Sequence, residues 1–199
     1  MPLSPRALQE FNEYTVEADL SALGLGDEDL EEVFGLLKQY PNIVSVDLSE
    51  NAIFFDKQFL KQLTEIETIR ALYIRNTSIS GVKGKEEEIV QHLLNMPNLQ
   101  LLDVSLTNIS DASATKLAEK EGLLYLNVRQ NRKVLPTTLN EIHDHFRGGH
   151  AKWMSIQRDL QSQLNQKKAA QQVNIEKSDA TSKEGAVIST AEGRRSPLH

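Results

Sequence analysis

The chain has 199 residues, of which 39% are apolar and 25% charged, and its formal net charge is −6. These values fit a single globular domain, and the acidic balance argues against nucleic-acid binding, which requires a basic face toward the phosphates. The chain contains no cysteine, which excludes disulfides, thiolate metal sites and cysteine nucleophiles.

The N-terminus shows no sign of a secretory signal. It lacks an apolar core segment, and no window of the chain approaches the roughly 18 consecutive apolar residues of a membrane span. Together with the absence of cysteine, this predicts an intracellular, cytoplasmic protein that does not bind membranes. Export by a route that needs no cleavable signal stays open.

A short N-terminal helix is the first predicted element. Ser4 and Pro5 suit a helix cap and a first helical turn, and Leu8 and Phe11 follow on one face. Residues 1–14 are therefore predicted to close one end of the fold.

A sequence repeat dominates the next part of the chain. The frame Ile/Leu-x-x-Leu/Val-x-Leu/Ile/Val-x-x-Asn/Thr-x-Ile occurs at Ile43–Ile53, Ile69–Ile79 and Leu99–Ile109, with weaker copies at Thr15–Leu25 and Leu123–Lys133. Each copy predicts a strand whose apolar residues enter a core shared by neighbouring units. The copies are 24 to 30 residues apart, which leaves room for a helix after each strand.

The segments between the copies carry apolar residues at helical spacing. Asp27 is a suitable N-cap for the first of these helices, and Pro41, Pro97 and Gly122 end helices before the next strand. The insertion 80–85 predicts an exposed loop on one rim. The predicted apolar helix faces are Leu30, Val33, Phe34 and Leu37; Phe59, Leu63 and Ile66; Ile89, Leu93 and Met96; and Ala114, Leu117 and Ala118.

This pattern resembles the leucine-rich repeat family over residues 15–135, and its long repeats are similar to the ribonuclease-inhibitor-like subclass. The resemblance implies an α/β fold, a short right-handed leucine-rich repeat solenoid of about five strand-helix units with a parallel sheet on the concave face and helical caps. It also implies a ladder of side-chain amides that bond the backbone of adjacent turns. Asn51 and Asn131 fit the ladder position, Thr77 and Thr107 are shorter substitutes, and Leu23 departs from it.

Two helices are predicted after the repeats. Leu139, Ile142 and Phe146 form one stripe after Pro136. A second stripe follows the break at Gly148 and Gly149 and consists of Trp153, Ile156, Leu160 and Leu164. We interpret residues 136–165 as a C-terminal helical cap, with a projecting partner-binding arm as the alternative for the second helix. Residues 166–199 are poor in apolar side chains and are predicted to be a disordered tail, whose Arg194–Pro197 end is an alternative modification or sorting signal.

Alternate residues of the predicted strands point away from the core and form the concave face. Tyrosine and arginine, which are enriched where binding energy concentrates, occur together in the last three strands. The resulting hypothesis is that this face binds a protein or peptide and that its aspartates select a basic segment; an ordinary solvated face is the alternative. The candidate residues are Asp19, Asp47, Tyr73, Arg75, Leu101, Asp103, Tyr125, Asn127 and Arg129.

The sequence offers little support for catalysis. No phosphate-binding glycine motif and no nucleophile elbow occurs in it. His143, His145 and His150 form the one histidine cluster, but the first two point apart on a helix, so an exposed helical end is preferred to a metal site. We therefore predict a monomeric, non-catalytic interaction scaffold without catalytic residues, cofactor or metal.

Two other classes of function stay open. Tropomodulin-like actin cappers also have a short stack of long leucine-rich repeats closed by a C-terminal helix, which is an analogy of architecture and not of binding residues. A bacterial effector that acts on a host protein is the other alternative.

Overall fold

The computed structural model of the chain describes residues 3–54, 57–77 and 85–191, and the side chains of residues 3–54, 61–77 and 85–175. Several predictions fall outside these ranges. They concern Ile79 of the third motif, the rim loop over residues 80–84, the side chain of Phe59 and the basic end of the chain after residue 191.

A parallel sheet in the order β1-β2-β3-β4-β5 forms one layer of the fold. Its strands are β1 (Glu17–Asp19), β2 (Ser45–Asp47), β3 (Ala71–Tyr73), β4 (Leu101–Asp103) and β5 (Tyr125–Asn127). The register aligns equivalent residues of the five motif copies, as the sequence spacing predicts. The predicted α/β leucine-rich repeat architecture is confirmed.

The helices of the described residues are α1 (Pro5–Gln9), α2 (Leu30–Gln39), α3 (Lys57–Thr64), α4 (Glu86–Asn95), α5 (Asp111–Ala118), α6 (Pro136–His145) and α7 (Gly149–Ala191). Helices α2 to α5 follow strands β1 to β4 and pack against one face of the sheet. Ser110 caps α5, with its hydroxyl accepting from the Ser113 N–H. Asp27, the predicted N-cap of α2, instead begins a 3-10 turn, Asp27–Asp29, that precedes the helix.

The core lies between the sheet and helices α2 to α5. The residue that follows each strand is at most 1% exposed and joins this core, as the motif predicts. These residues are Leu20, Leu48, Ile74, Val104 and Val128. Burial of each such side chain contributes about 1.5–3 kcal/mol to the free energy of unfolding.

The amide ladder implied by the family resemblance is present at two positions. The Asn51 amide donates to the Leu20 carbonyl of the preceding turn at 2.8 Å, and its oxygen accepts the Leu25 N–H at 3.0 Å. Asn131 similarly donates to Val104 at 2.9 Å. The shorter Thr77 side chain reaches only the carbonyl of Ile74 within its own turn, at 2.6 Å.

The N-terminal helix differs in detail from the prediction. Ser4 caps α1 by accepting the Ala7 N–H at 3.2 Å. Helix α1 ends at Gln9, and its buried residue is Ala7. Leu8, which was predicted to lie on the apolar face, is 41% exposed. Phe11 still packs into the core, from beyond the end of the helix.

The two C-terminal helices have different positions. Helix α6 buries Ile142 and Phe146 against the last repeat, as a cap would. Helix α7 instead packs on the sheet face opposite helices α2 to α5, which we call the concave face. Its Trp153 joins Ala71 and Leu101 in a second hydrophobic cluster. The second helix is therefore neither an end cap nor merely a projecting arm.

Helix α7 also continues where the sequence predicts a disordered tail from residue 166. Its described side chains from Asn165 to Ile175 are all exposed, so burial does not hold this part in place. Glutamine, lysine and alanine are good helix formers, and extending a helix that is already nucleated is much easier than starting one. The low apolar content that motivated the prediction does not oppose such an extension. The predicted domain boundaries stay predictions.

Candidate functional site

The first row of the concave face is covered by helix α7. The row consists of Glu17, Ser45, Ala71, Leu101 and Tyr125, one residue from each strand. Leu101 is fully buried in the cluster around Trp153, and Tyr73 and Tyr125 are half-buried against the same cluster. In this arrangement Leu101 is not accessible to a binding partner. Both tyrosines pack against helix α7 of the same chain.

Two glutamines fix α7 at the β1 end of the sheet. The Gln157 amide donates to the Glu17 carboxylate at 2.6 Å. The Gln161 amide donates to the Tyr14 carbonyl at 2.6 Å, and its oxygen accepts the Val16 N–H at 3.2 Å. Sequence reasoning missed these residues because glutamine on a helix gives no signal of its partner.

The interface under α7 is incompletely hydrogen-bonded. The Ser45 hydroxyl is buried and has no hydrogen-bond partner within the described part of the chain. The buried Trp153 indole N–H makes no well-aligned hydrogen bond, although it lies close enough to the Tyr73 hydroxyl to oppose the rise in the pKa of that group. A buried polar group without a partner costs about 1–3 kcal/mol. Apolar contact around Trp153 therefore provides most of what holds α7 to the sheet.

The second row lies beside the area that α7 covers and is acidic toward β1, and its Tyr73 packs against the Trp153 cluster. The row consists of Asp19, Asp47, Tyr73, Asp103 and Asn127. Asp19, Asp47 and Asp103 occupy equivalent positions and are exposed or half-buried. Each carboxylate also accepts the backbone N–H of the serine two residues later, at 3.1, 2.8 and 2.9 Å. These aspartates thus stabilise the turn after each strand as well as presenting charge, a role that the recurring Asp-Leu/Val-Ser triplets could have revealed.

Burial, and then the repulsion of neighbouring carboxylates, raises the pKa of Glu17 and Asp47. For Glu17, burial raises the pKa, the hydrogen bond from Gln157 opposes this, and the charges of Asp19 and Asp47 add to the rise. Burial also raises the pKa of Asp47. The Tyr73 hydroxyl has a pKa well above its ordinary value because it is buried and lies near these carboxylates. A cation at this end of the face would relieve the repulsion.

The third row takes one residue from the turn after each strand. It carries positive charge at Arg75 and Arg129. Arg75 and Arg129 are exposed, and neither forms an ion pair with another described residue. Asn127 donates to the Asp103 carboxylate at 2.8 Å and so joins the second row to the β5 end. We call the second and third rows together, from Asp19 to Arg129, the open strip.

A small pocket lies where the open strip meets helices α6 and α7. Its apolar wall is formed by Leu139, Ile142 and Phe146, and its polar rim includes Asn127, Arg129, His143, Arg147 and His150. Tyr125 contacts the His150 ring edge-on, with the ring centres 5.1 Å apart. From the sequence alone, these histidines indicated only an exposed helix end.

The two glycines between α6 and α7 shape this pocket. Gly148 has a φ of +77°, which favours glycine, and a Cβ on Gly149 would lie 1.6 Å from the Leu124 carbonyl oxygen. The glycines therefore do more than break the helix as predicted. They also allow the start of α7 to contact the backbone beside β5.

No group of three histidine or acidic side chains able to hold a metal ion occurs among residues 3–54, 61–77 and 85–175. Within the described helices, none combines the length and apolarity needed to cross a membrane.

The sequence matches no protein-family model and no curated protein. Among solved structures, the tropomodulin C-terminal domain of Caenorhabditis elegans aligns with a TM-score of 0.52 and 12% identity, covering 77% of this chain and 94% of that domain. The similarity supports the fold.

Two other structures are less similar. The leucine-rich repeat domain of Mex67 from Chaetomium thermophilum has a TM-score of 0.47 and 18% identity over 68% of this chain and 94% of that one. The Drosophila melanogaster SNF/U2A' complex has a TM-score of 0.39 and 16% identity, over 78% of this chain and 99% of that one. Both TM-scores are too low to bear on the fold.

Proposed function

We propose that this protein is a non-catalytic, cytoplasmic interaction module of the leucine-rich repeat family, and that it binds a protein or peptide along the open strip. The main support is geometric. The parallel sheet holds Asp19, Asp47 and Asp103 at equivalent positions of their strands. The turns after β3 and β5 add the exposed side chains of Arg75 and Arg129 beside them. Rigid rows of this kind suit recognition of an extended or helical segment.

The charge of the strip favours a partner with a basic segment at the β1 end. Asp19 and Asp47 lie beside Glu17, and burial and mutual repulsion raise the pKa of Glu17 and Asp47. A lysine or arginine of the partner would offset both effects. Because α7 occupies the first row, the original hypothesis narrows from the whole concave face to the open strip.

The ribonuclease-inhibitor-like subclass is part of the same proposal. A helix follows each of the strands β1 to β4, and the repeats of 24 to 30 residues include long ones. The Asn51 and Asn131 bonds between turns agree with this assignment.

Affinity purification with mass spectrometry tests the function. The Arg75→Glu, Arg129→Glu double variant reverses the exposed positive charges of the strip without touching the buried cluster. We expect it to lose the partners that the natural chain recovers. The matched control is Arg6→Glu, Lys61→Glu, which reverses two exposed charges on α1 and α3. Equal recovery of partners by both double variants, each shown to be folded by circular dichroism, would place the binding site elsewhere.

Actin-filament binding is the second candidate, and the structural similarity to the tropomodulin C-terminal domain favours it. At 12% identity this is a likeness of fold, and no binding residue is matched. Co-sedimentation with filaments and a slowed pointed-end elongation would support this candidate. Absence of both effects at micromolar protein would leave the general interaction module.

A further inference from the structure

The pocket between β5 and helices α6 and α7 differs in charge from the rest of the molecule. The chain carries a net charge of −6, yet two arginines and two histidines line this pocket. Leu139, Ile142 and Phe146 give it an apolar wall. A few polar groups around an apolar wall are typical of sites that bind one side chain of a ligand.

The negative groups nearby are already engaged. Asp144 forms an ion pair with Arg147 at 2.5 Å, and this pair lowers the pKa of the Asp144 carboxyl. Asp103 accepts the Asn127 amide at 2.8 Å and lies near the Tyr125 hydroxyl. Arg129 has no ion pair within the described part of the chain, so its guanidinium is the available cation of the pocket.

The pocket is preformed by backbone packing. Gly149 sits against the Leu124 carbonyl, and its N–H donates to Phe146 at 3.0 Å. The turn is therefore held to β5 before any ligand arrives, and the first turn of α7 adds its positive helix end to the arginine charge. Little binding free energy would therefore be spent on ordering this site when a ligand binds.

We propose that this pocket binds an acidic peptide segment of the protein partner, in which an apolar side chain adjoins a glutamate or aspartate. The apolar side chain packs on Ile142 and Phe146, and the carboxylate pairs with Arg129. This inference rests on the proposed function, and it gives the bound segment a direction. Its basic residues lie over Asp19 and Asp47, and its acidic residues lie at the β5 end.

Amide NMR of the isotope-labelled full chain tests the pocket directly. The probe is a short blocked peptide, Gly-Glu-Leu-Glu-Gly, compared with versions that carry glutamine or lysine in place of glutamate. We expect saturable shifts at the amides of Asn127, Arg129, Gly148 and His150 with the glutamate peptide. Binding of the glutamine peptide should be about tenfold weaker, and the lysine peptide should not bind.

The Arg129→Gln variant should weaken binding of the glutamate peptide about tenfold, whereas the control Arg6→Gln, at an exposed position of α1, should leave its affinity unchanged. Equal binding of the glutamate and glutamine peptides, or shifts that inorganic phosphate reproduces at the same residues, would overturn the inference. So would the absence of any shift in this pocket.

Failure here and failure of the proposed function give different results. If the glutamate peptide does not bind but the Arg75→Glu, Arg129→Glu variant still loses its cellular partners, only the acidic-segment inference falls. If both experiments fail, the open strip is not the interaction surface.

Discussion

The two faces of the sheet are built in different ways. The inner face, which packs against helices α2 to α5, is made by repetition, because each turn adds buried aliphatic residues at equivalent positions and Asn51 and Asn131 bond neighbouring turns. The concave face is covered by a single helix, which is anchored around Trp153 and two glutamines and leaves the Ser45 hydroxyl buried and unpaired. The inner face should therefore unfold only with the whole array, whereas α7 can loosen while the repeats persist.

The largest expected effect is on the inner face. Ile74→Asp removes a fully buried side chain and places a carboxylate in the core. The combined loss matches the whole stability of a typical domain, about 5–15 kcal/mol, so the array should unfold. Circular dichroism measures this. The adjacent exposed control, Arg75→Asp, should keep its helical and sheet signal, and a folded Ile74→Asp protein would contradict the shared core.

Next in size is the loss of Trp153 from α7. Trp153→Ala should lower the free energy of docking α7 by about 3–5 kcal/mol. Trp153→Phe should lower it by less than about 1.5 kcal/mol, because the indole N–H makes no well-aligned hydrogen bond and only approaches the Tyr73 hydroxyl. Hydrogen exchange of the first turns of α7, followed by mass spectrometry, measures docking. If phenylalanine loosens the helix as much as alanine does, the contact of the indole N–H with the Tyr73 hydroxyl is essential for docking.

The ladder asparagine should matter more than its threonine substitute. Asn51→Ala leaves the buried Leu25 N–H without its acceptor and the Leu20 carbonyl without its donor, and should destabilise the array by roughly 2–4 kcal/mol. Thr77→Ala removes one bond within a single turn and should cost about 1 kcal/mol. Urea unfolding gives both values, and equal losses would contradict the bridging role of Asn51.

A smaller effect is expected from the glutamines that hold α7. Gln157→Ala and Gln161→Ala should together loosen the helix by roughly 1–2 kcal/mol and leave the repeats intact. Trp153 is the one tryptophan of the chain, so its fluorescence should shift toward that of exposed indole at a lower urea concentration. Gln163→Ala, at an exposed position of the same helix, is the control and should leave the transition unchanged.

The smallest effect concerns pH. The pKa of Glu17 is raised in the folded chain, so folding is favoured when the carboxyl is protonated. This stabilisation is complete below the ordinary pKa of 4.5 and is lost as the pH rises from there through the raised pKa of the folded chain. Glu17→Gln still offers an oxygen to Gln157 but cannot ionise beside Asp19 and Asp47. It should raise the midpoint of urea unfolding at neutral pH and not below pH 4.5, whereas the control Glu121→Gln, at an exposed position outside the helices, should change neither midpoint. A variant less stable than the natural chain at neutral pH would reverse the sign.

Much of the inner face was predictable because its residues recur at the same positions of each motif copy. Strand register and the buried positions after each strand follow from the repeat, and the Asn51 ladder follows from the family resemblance. The position of α7 was not. The stripe Trp153, Ile156, Leu160 and Leu164 shows that one side of the helix is buried, but not against which surface.

The sequence predicted which candidate residues align in rows across the strands. It did not predict which of them are exposed. Asp47 and Tyr73 are paired across β2 and β3 as expected. Their exposure depends on α7, which comes from a distant part of the chain. The pocket at β5 required the contact of Gly149 with Leu124, a steric relation that no sequence period encodes.

Cysteine labelling tests most directly the claim that α7 covers the first row and leaves the strip open. The natural chain has no cysteine, so Leu101→Cys and Arg75→Cys each introduce a single thiol. The account predicts rapid labelling at 75, strong protection at 101, and loss of that protection when Trp153→Ala is added. Equal and rapid labelling at both positions in the otherwise natural chain would contradict it.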